Sequence, residues 1–229
     1  MYFIIVKIMK KIRDYYVPNS DIHFIEYLNK FEHYQEAQRN RALSHVKKWR
    51  LALDIGANIG LWSKDLSNFF DQLICFEPNK FCIDYLKKNI NLNKSIINSF
   101  ALGSKNEEKN LLIHSTNSGA SSFINKTKTG YDTEQNPIYG KFSDHTKSLS
   151  VKVKKLDNFN FNNVDFIKID VQGFELEVLK GAKETLVKND PILCIEEDSP
   201  NDSQSLKFLK KNNYEIIDII NKEYILKKI

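Results

Sequence analysis

The run Val164-Asp-Phe-Ile-Lys-Ile-Asp170 places a lysine inside an apolar stretch and an acid at its end, and Gln172 and Glu175 follow around Gly173. Residues two apart on a strand point the same way, so Lys168 and Asp170 share one face. Carboxylates and an amide at a strand tip can accept a proton, hold hydroxyl groups or balance a cation. A lysine buried below them is costly unless a carboxylate pairs with it. Asp170 is therefore expected to be that partner or, alternatively, Glu196, which with Glu197 ends the later apolar run "PILCIEE".

A second constellation lies in "LDIGANIG", where Asp54, Gly56, Asn58 and Gly60 follow an apolar strand. Glycines there let backbone approach a ligand closely, and the next helix is expected to offer free N–H groups. A dinucleotide loop has the form G-x-G-x-x-G. This one is D-x-G-x-N-x-G, and its strand-tip carboxylate opposes a phosphate but suits a cationic ligand. S-adenosylmethionine (SAM), with its sulfonium and no phosphate, is such a ligand. Glu77 ends the next strand, about 20 residues on, where an acid is placed to accept both ribose hydroxyls.

Both clusters need a parallel sheet to bring them together. Strand-like runs "RLALDIG", "QLICFEP", "IINSFAL", "LSVKV", "VDFIKID" and "PILCIEE" are largely separated by stretches with helical apolar spacing, such as Trp62/Leu66/Phe69/Phe70 and Val178/Leu179/Ala182/Leu186. The pattern predicts an α/β fold with a mostly parallel central sheet, helices on both faces, and an antiparallel C-terminal hairpin from "YEIIDII" and "EYILKKI". Residues 1–48 read as an N-terminal helical extension, with one or two helices between Asp21 and Val46 and a packed helix over 1–16. Residues 49–229 form the main domain, with an insertion at about 104–148 whose one strand-like run is "LLIH". Within it, 125–147 reads as a lid hinged at "NSGASSF" over the acceptor pocket.

Several of these stretches together, "LALDIGANIGLWSKDL", "ICFEPN", "FALG", "KLDNF", "VDFIKIDVQGFELEVLKGA" and "PILCIEE", resemble the FkbM-type family of SAM-dependent methyltransferases over about residues 50–198. The resemblance implies a Rossmann-like class I methyltransferase fold and methyl transfer to oxygen on a sugar, glycan or small metabolite. It also implies that Asp54, Gly56, Asn58, Gly60, Glu77 and Ala101 (of "FALG") hold SAM. It sets Asp170, Glu175 and Glu196 facing the reaction pocket; for catalysis Asp170 is the first candidate for the base and Lys168 the second, though its place below the tip suits an ion-pair partner better, Glu175 positions the acceptor, and Gln172 and Glu196 contact the substrate. Gln172 departs from the glutamate expected there; it cannot act as a base.

A chain of 229 residues, 41% hydrophobic, fits one sizeable core. The net charge of +5 comes from scattered lysines and reads as solvated surface, so nucleic acid is not the expected partner. The alternatives are an RNA 2′-O-methyltransferase, for which "CIEEDSP" lacks the needed lysine, and a non-catalytic SAM-binding protein. Cys75, Cys82 and Cys194 read as reduced core thiols, no spacing suggests a metal, and the N-terminal run is too short to span a membrane. A cytoplasmic setting is expected. His114 and His145 flank the insertion within reach of the pocket, whereas His23 reads as surface or packing.

Overall fold

The computed structural model describes residues 9–123, 145–198 and 200–229. Five parallel strands form its centre: β3 (Leu51–Ile55), β4 (Gln72–Phe76), β5 (Ser95–Asn98), β9 (Val164–Ile169) and β10 (Ile192–Glu196). The hairpin β11 (Tyr214–Ile220) and β12 (Glu223–Lys228) closes one edge antiparallel, as expected, giving the order β11-β12-β10-β9-β3-β4-β5. The chain winds outward from β3 to β5 and returns to lay β9 beside β3. That reversal makes the carboxyl ends of β3 and β9 the place where such sheets leave a crevice.

Every residue of β3 is buried, because both faces of the sheet are covered. One face presents Leu53, Ile55, Ile167, Ile169, Leu193 and Ile195 to α5 (Glu175–Lys180), α6 (Lys183–Asn189) and α7 (Gln204–Lys211). The other sets Ala52, Phe166 and Ile192 against α2 (Glu36–Leu43), α3 (Ser63–Phe69) and α4 (Ile83–Asn89). Higher on that second face the apolar pattern gives way to Asp54, Lys168 and Cys194, which stand side by side by strand register.

The N-terminal segment differs from the helix expected over 1–16. Residues 1–8 lie outside the described residues, and β1 (Lys10–Ile12) with β2 (Tyr15–Val17) makes a hairpin turning through Arg13 at φ 52°. Tyr15 and Val17 point inward and Tyr16 between them is half-buried, a period of two that no helix allows. Where one or two helices are expected after it, two form: α1 (Ile22–Lys30), capped by Asp21, and α2.

"IINSFAL" is not one strand. It breaks at Ser99–Phe100, and β6 (Ala101–Leu102) joins a second sheet with β7 (Glu107–His114) and β8 (His145–Lys154). The insertion is thus flanked by a long antiparallel pair rather than one short run. Residues 125–144 of the expected lid lie outside the described residues.

Candidate active site

A cavity of about 600 Å³ opens at the carboxyl ends of β3, β4, β9 and β10, and Asp54, Glu77, Lys168, Asp170, Gln172 and Glu196 all line it. Lys168 is 1% exposed, so its ammonium needs a counter-charge. The expected partners were Asp170 or Glu196; the structure pairs Lys168 with Asp170 and, more closely, with Glu223 of β12, which was not expected. Lys168 Nζ lies 3.1 and 3.0 Å from the two Glu223 carboxylate oxygens and 3.7 Å from Asp170 Oδ2. Burial pulls the lysine pKa down, but Glu223 and Asp170 outweigh it and hold it well above its ordinary value. The Trp62 ring stacks over the ammonium at 5.1 Å, and the Cys194 thiol donates to Glu223 at 3.3 Å.

Above this pair sits the acidic rim. Gln172, at φ 56°, donates its amide N–H groups to Asp170 Oδ1 at 2.8 Å and Glu196 Oε2 at 3.0 Å. The negative charge of Asp170, then burial, pushes the Glu196 carboxyl up to about 9. Glu175 faces the same cavity, yet its Oε1 accepts from the Val171 and Gly173 N–H groups at 3.2 and 3.0 Å. It clamps the turn that carries Gln172.

The glycine loop is built differently from the cradle expected. α3 begins only at Ser63, and the Gly56 and Ala57 N–H groups donate to the Phe76 carbonyl at 2.9 and 3.2 Å. The Asn58 N–H donates to Glu77 Oε2 at 2.7 Å, and the Asn79 N–H to Glu77 Oε1 at 2.7 Å. Those N–H groups are therefore engaged within the protein rather than offered to a ligand. Gly60 takes φ +85°, and a β-carbon on it would lie 2.7 Å from Leu86. Asp54 accepts from the Ser63 hydroxyl, and burial raises its pKa to about 6, Ser63 opposing. Burial likewise raises Glu77 to about 7, opposed by the two backbone donors. Ala101 is buried on the cavity wall.

The roof joins the expected "NSGASSF" turn and His114 to Phe24, Tyr34 and Gln35, which sequence reasoning left unassigned. His23, Phe24, Tyr34 and Gln35 line the cavity, so His23 is a wall residue rather than surface. Asp21 Oδ2 accepts from the Ser118 N–H and hydroxyl at 2.9 and 2.7 Å, pinning α1 to the "NSGASSF" turn, of which Ser118, Gly119 and Phe123 also line the cavity. Trp62 Nε1 donates to Gln35 Oε1 at 2.6 Å; an indole nitrogen only donates, so the Gln35 amide keeps its N–H groups to offer. His114 lines the cavity with Nδ1 accepting from the Asn117 N–H at 3.2 Å. The side chain of His145 lies outside the described residues.

Taken together, Asp54, Glu77, Asp170 and Glu196 share the lining with two lysines, Lys168 matched by Glu223 and Lys222 by Asp198, a lining that suits a cation and opposes a phosphate. The residues present fit SAM. Comparison with known proteins agrees: the sequence model of the Methyltransferase FkbM domain matches residues 54–221. "Methyltransferase 1" of Beauveria bassiana (strain ARSEF 2860) is 28% identical over 141 residues, covering 56% of this chain and 57% of that protein. "Methyltransferase sdnD" of Sordaria araneosa is 29% identical over 163 residues, covering 60% and 63%. The chain thus matches somewhat less than two thirds of these relatives' length. Among solved structures, methyltransferase FkbM from Methylobacillus flagellatus KT superposes with a TM-score of 0.49 at 18% identity, covering 79% of this chain and 43% of that one. The chain belongs to the FkbM methyltransferase family, and SAM is its cofactor.

Proposed function

We propose that this chain transfers a methyl group from SAM to a hydroxyl of a neutral sugar or other small polyhydroxyl acceptor. The observation that carries the reading is the rim of Asp170, Gln172 and Glu196 beside the cofactor loop, which offers acceptor oxygens and few positive charges. Lys222, at its edge, is already paired with Asp198 at 2.6 Å. An acceptor carrying phosphates would meet that rim unfavourably, which argues against the RNA alternative.

SAM supplies a methyl group already activated by its sulfonium. The chain has then to position an acceptor oxygen, exclude water and remove a proton. In this reading Glu77 accepts the ribose hydroxyls, and Asp54 adds negative charge for the cationic end. Asp170, about a quarter exposed, takes the hydroxyl proton, while the Gln172 carbonyl and the Gln35 amide orient neighbouring hydroxyls. Lys168 favours ionised Asp170 from below. Glu175 acts through the turn it clamps. The three cysteines are buried thiols, in keeping with a cytoplasmic setting.

The test is incubation with SAM and a panel of neutral sugars and glycosides, following S-adenosylhomocysteine formation and the mass gain of one CH2 on the acceptor. Transfer to a hydroxyl that Asp170→Asn suppresses is the expected result. Methylation of nitrogen or carbon only, or no turnover across the panel, would overturn the assignment.

A further inference from the structure

The single amide of Gln172 reaches both Asp170 and Glu196, so it holds the two carboxylates within a few ångströms of each other. Two acids so near cannot both carry a full charge at moderate cost. The cation below them is committed elsewhere: Lys168 meets both oxygens of Glu223 and stands farther from Asp170. Glu223 lies opposite Glu196 across the β10–β12 pair, two residues beyond the segment matched by the family model.

We propose that Asp170 and Glu196 form a one-proton dyad tied by Gln172, and that Glu223 is the positioning residue that fixes the dyad's proton count by engaging Lys168. Glu223 cancels the lysine charge, so the dyad keeps one proton and one negative charge. That leaves one vacancy for a proton arriving from the acceptor. The raised Glu196 pKa, caused first by the charge on Asp170, agrees with this. Among the described residues the titratable groups that face the dyad are Lys168 from β9, Cys194 from β10, Glu223 from β12, Asp54 from β3, Glu77 just past β4, Glu175 from α5 and the Tyr34 phenol from the N-terminal segment. A glutamine at 172 has a specific use here. A third carboxylate would repel both members, whereas the amide donates to each.

The dyad's use in catalysis rests on the hydroxyl-acceptor reading, but its protonation does not. Infrared spectroscopy of the cofactor-free chain over a pH series reads the protonated-carboxyl band directly. The expected band persists above neutral pH, titrates away near pH 9, disappears in Glu196→Gln, and titrates at lower pH in Asp170→Asn. In Glu223→Gln the freed lysine turns toward the dyad, and the midpoint falls by about one unit or more. Wild type without the band at pH 8, or a folded Glu223→Gln with an unmoved midpoint, overturns the proposal. Should Glu223→Gln not fold, Lys168→Met/Glu223→Leu decides: with both charges gone the midpoint stays within about one unit of wild type, and a larger fall refutes the role of Glu223. Absence of turnover on sugars would sink the acceptor reading and leave this result intact.

Discussion

Gly56 and Asp170 meet backbone to backbone: a β-carbon on Gly56 would lie 1.9 Å from the Asp170 carbonyl oxygen. The loop assigned to the cofactor and the strand assigned to proton removal are therefore one packed unit. Gly56 also takes φ +87°, which other residues rarely adopt. Gly56→Ala is expected to destabilise the fold by about 2–4 kcal/mol and to weaken SAM binding, because the loop must move off β9. Thermal unfolding and calorimetric titration check both, and an unchanged Tm with unchanged affinity would show the contact to be dispensable.

Glu77→Ala removes the proposed ribose acceptor and the partner of the Asn58 and Asn79 N–H groups. SAM affinity should fall about tenfold to a hundredfold. Glu77→Gln separates the two roles: one oxygen remains to accept, so the loop should hold while part of the affinity is lost. Equal affinity in wild type and both variants would remove Glu77 from the site.

The raised carboxyl groups give stability a distinctive sign. Asp54 at about 6, Glu77 at about 7 and Glu196 at about 9 bind protons more tightly folded than unfolded. Their stabilising contribution is full below the unfolded values near 4 and is lost as pH rises through the folded ones. His23, lowered by burial, opposes this only up to its ordinary value near 6.5. Tm should therefore decline by several degrees from about pH 6.5 to 9, while affinity for cationic SAM rises over the same range as Glu77 ionises. A Tm that climbs toward pH 9 would contradict the buried-acid lining.

Lys168→Met leaves Glu223 buried without its cation and should cost about 3–5 kcal/mol. Replacing both members, Lys168→Met/Glu223→Leu, should recover most of that loss. Single-turnover measurement separates partner from base: a stable Lys168→Met with no turnover would make the lysine the base.

Asp170→Asn should preserve SAM affinity and lower turnover about a hundredfold. Glu175→Gln should chiefly raise the acceptor KM, since it weakens the clamp on Val171 and Gly173 and so displaces Gln172. Full activity in Asp170→Asn would mean that positioning alone carries catalysis.

Much of this arrangement was legible because strand periodicity and the D-x-G-x-N-x-G loop are local signals. Asp54, Gly56 and Glu77 converge as their spacing implies, and the polar end of β9 faces the same cavity. What escaped depends on register between distant segments. Glu223 reaches Lys168 across 55 residues through antiparallel pairing, and nothing in "NKEYILKKI" marks its glutamate as buried. Gln35 joins the wall through Trp62, 27 residues on, and Tyr34 through the rings of Phe24 and Tyr27, contacts that no local spacing announces. β7 was underestimated because its first half, Glu107–Asn110, is largely exposed and charged, so only "LLIH" looked like a strand.

The ion pair of Lys168 and Glu223 also bears on the order in which the sheet assembles. β9 sits at its centre, yet the ammonium within it has only Asp170, at 3.7 Å, until the C-terminal hairpin arrives, since Glu223, at 3.0 Å, is delivered by β12. A nascent sheet of β3, β4 and β9 alone would therefore keep its central strand hydrated around Lys168. Docking of the hairpin becomes the event that lets the middle dry out, and centre and edge gain protection together. Hydrogen exchange should show the amides of β9 and β12 opening in a single step, so that the periphery of this sheet governs the cooperativity of its core.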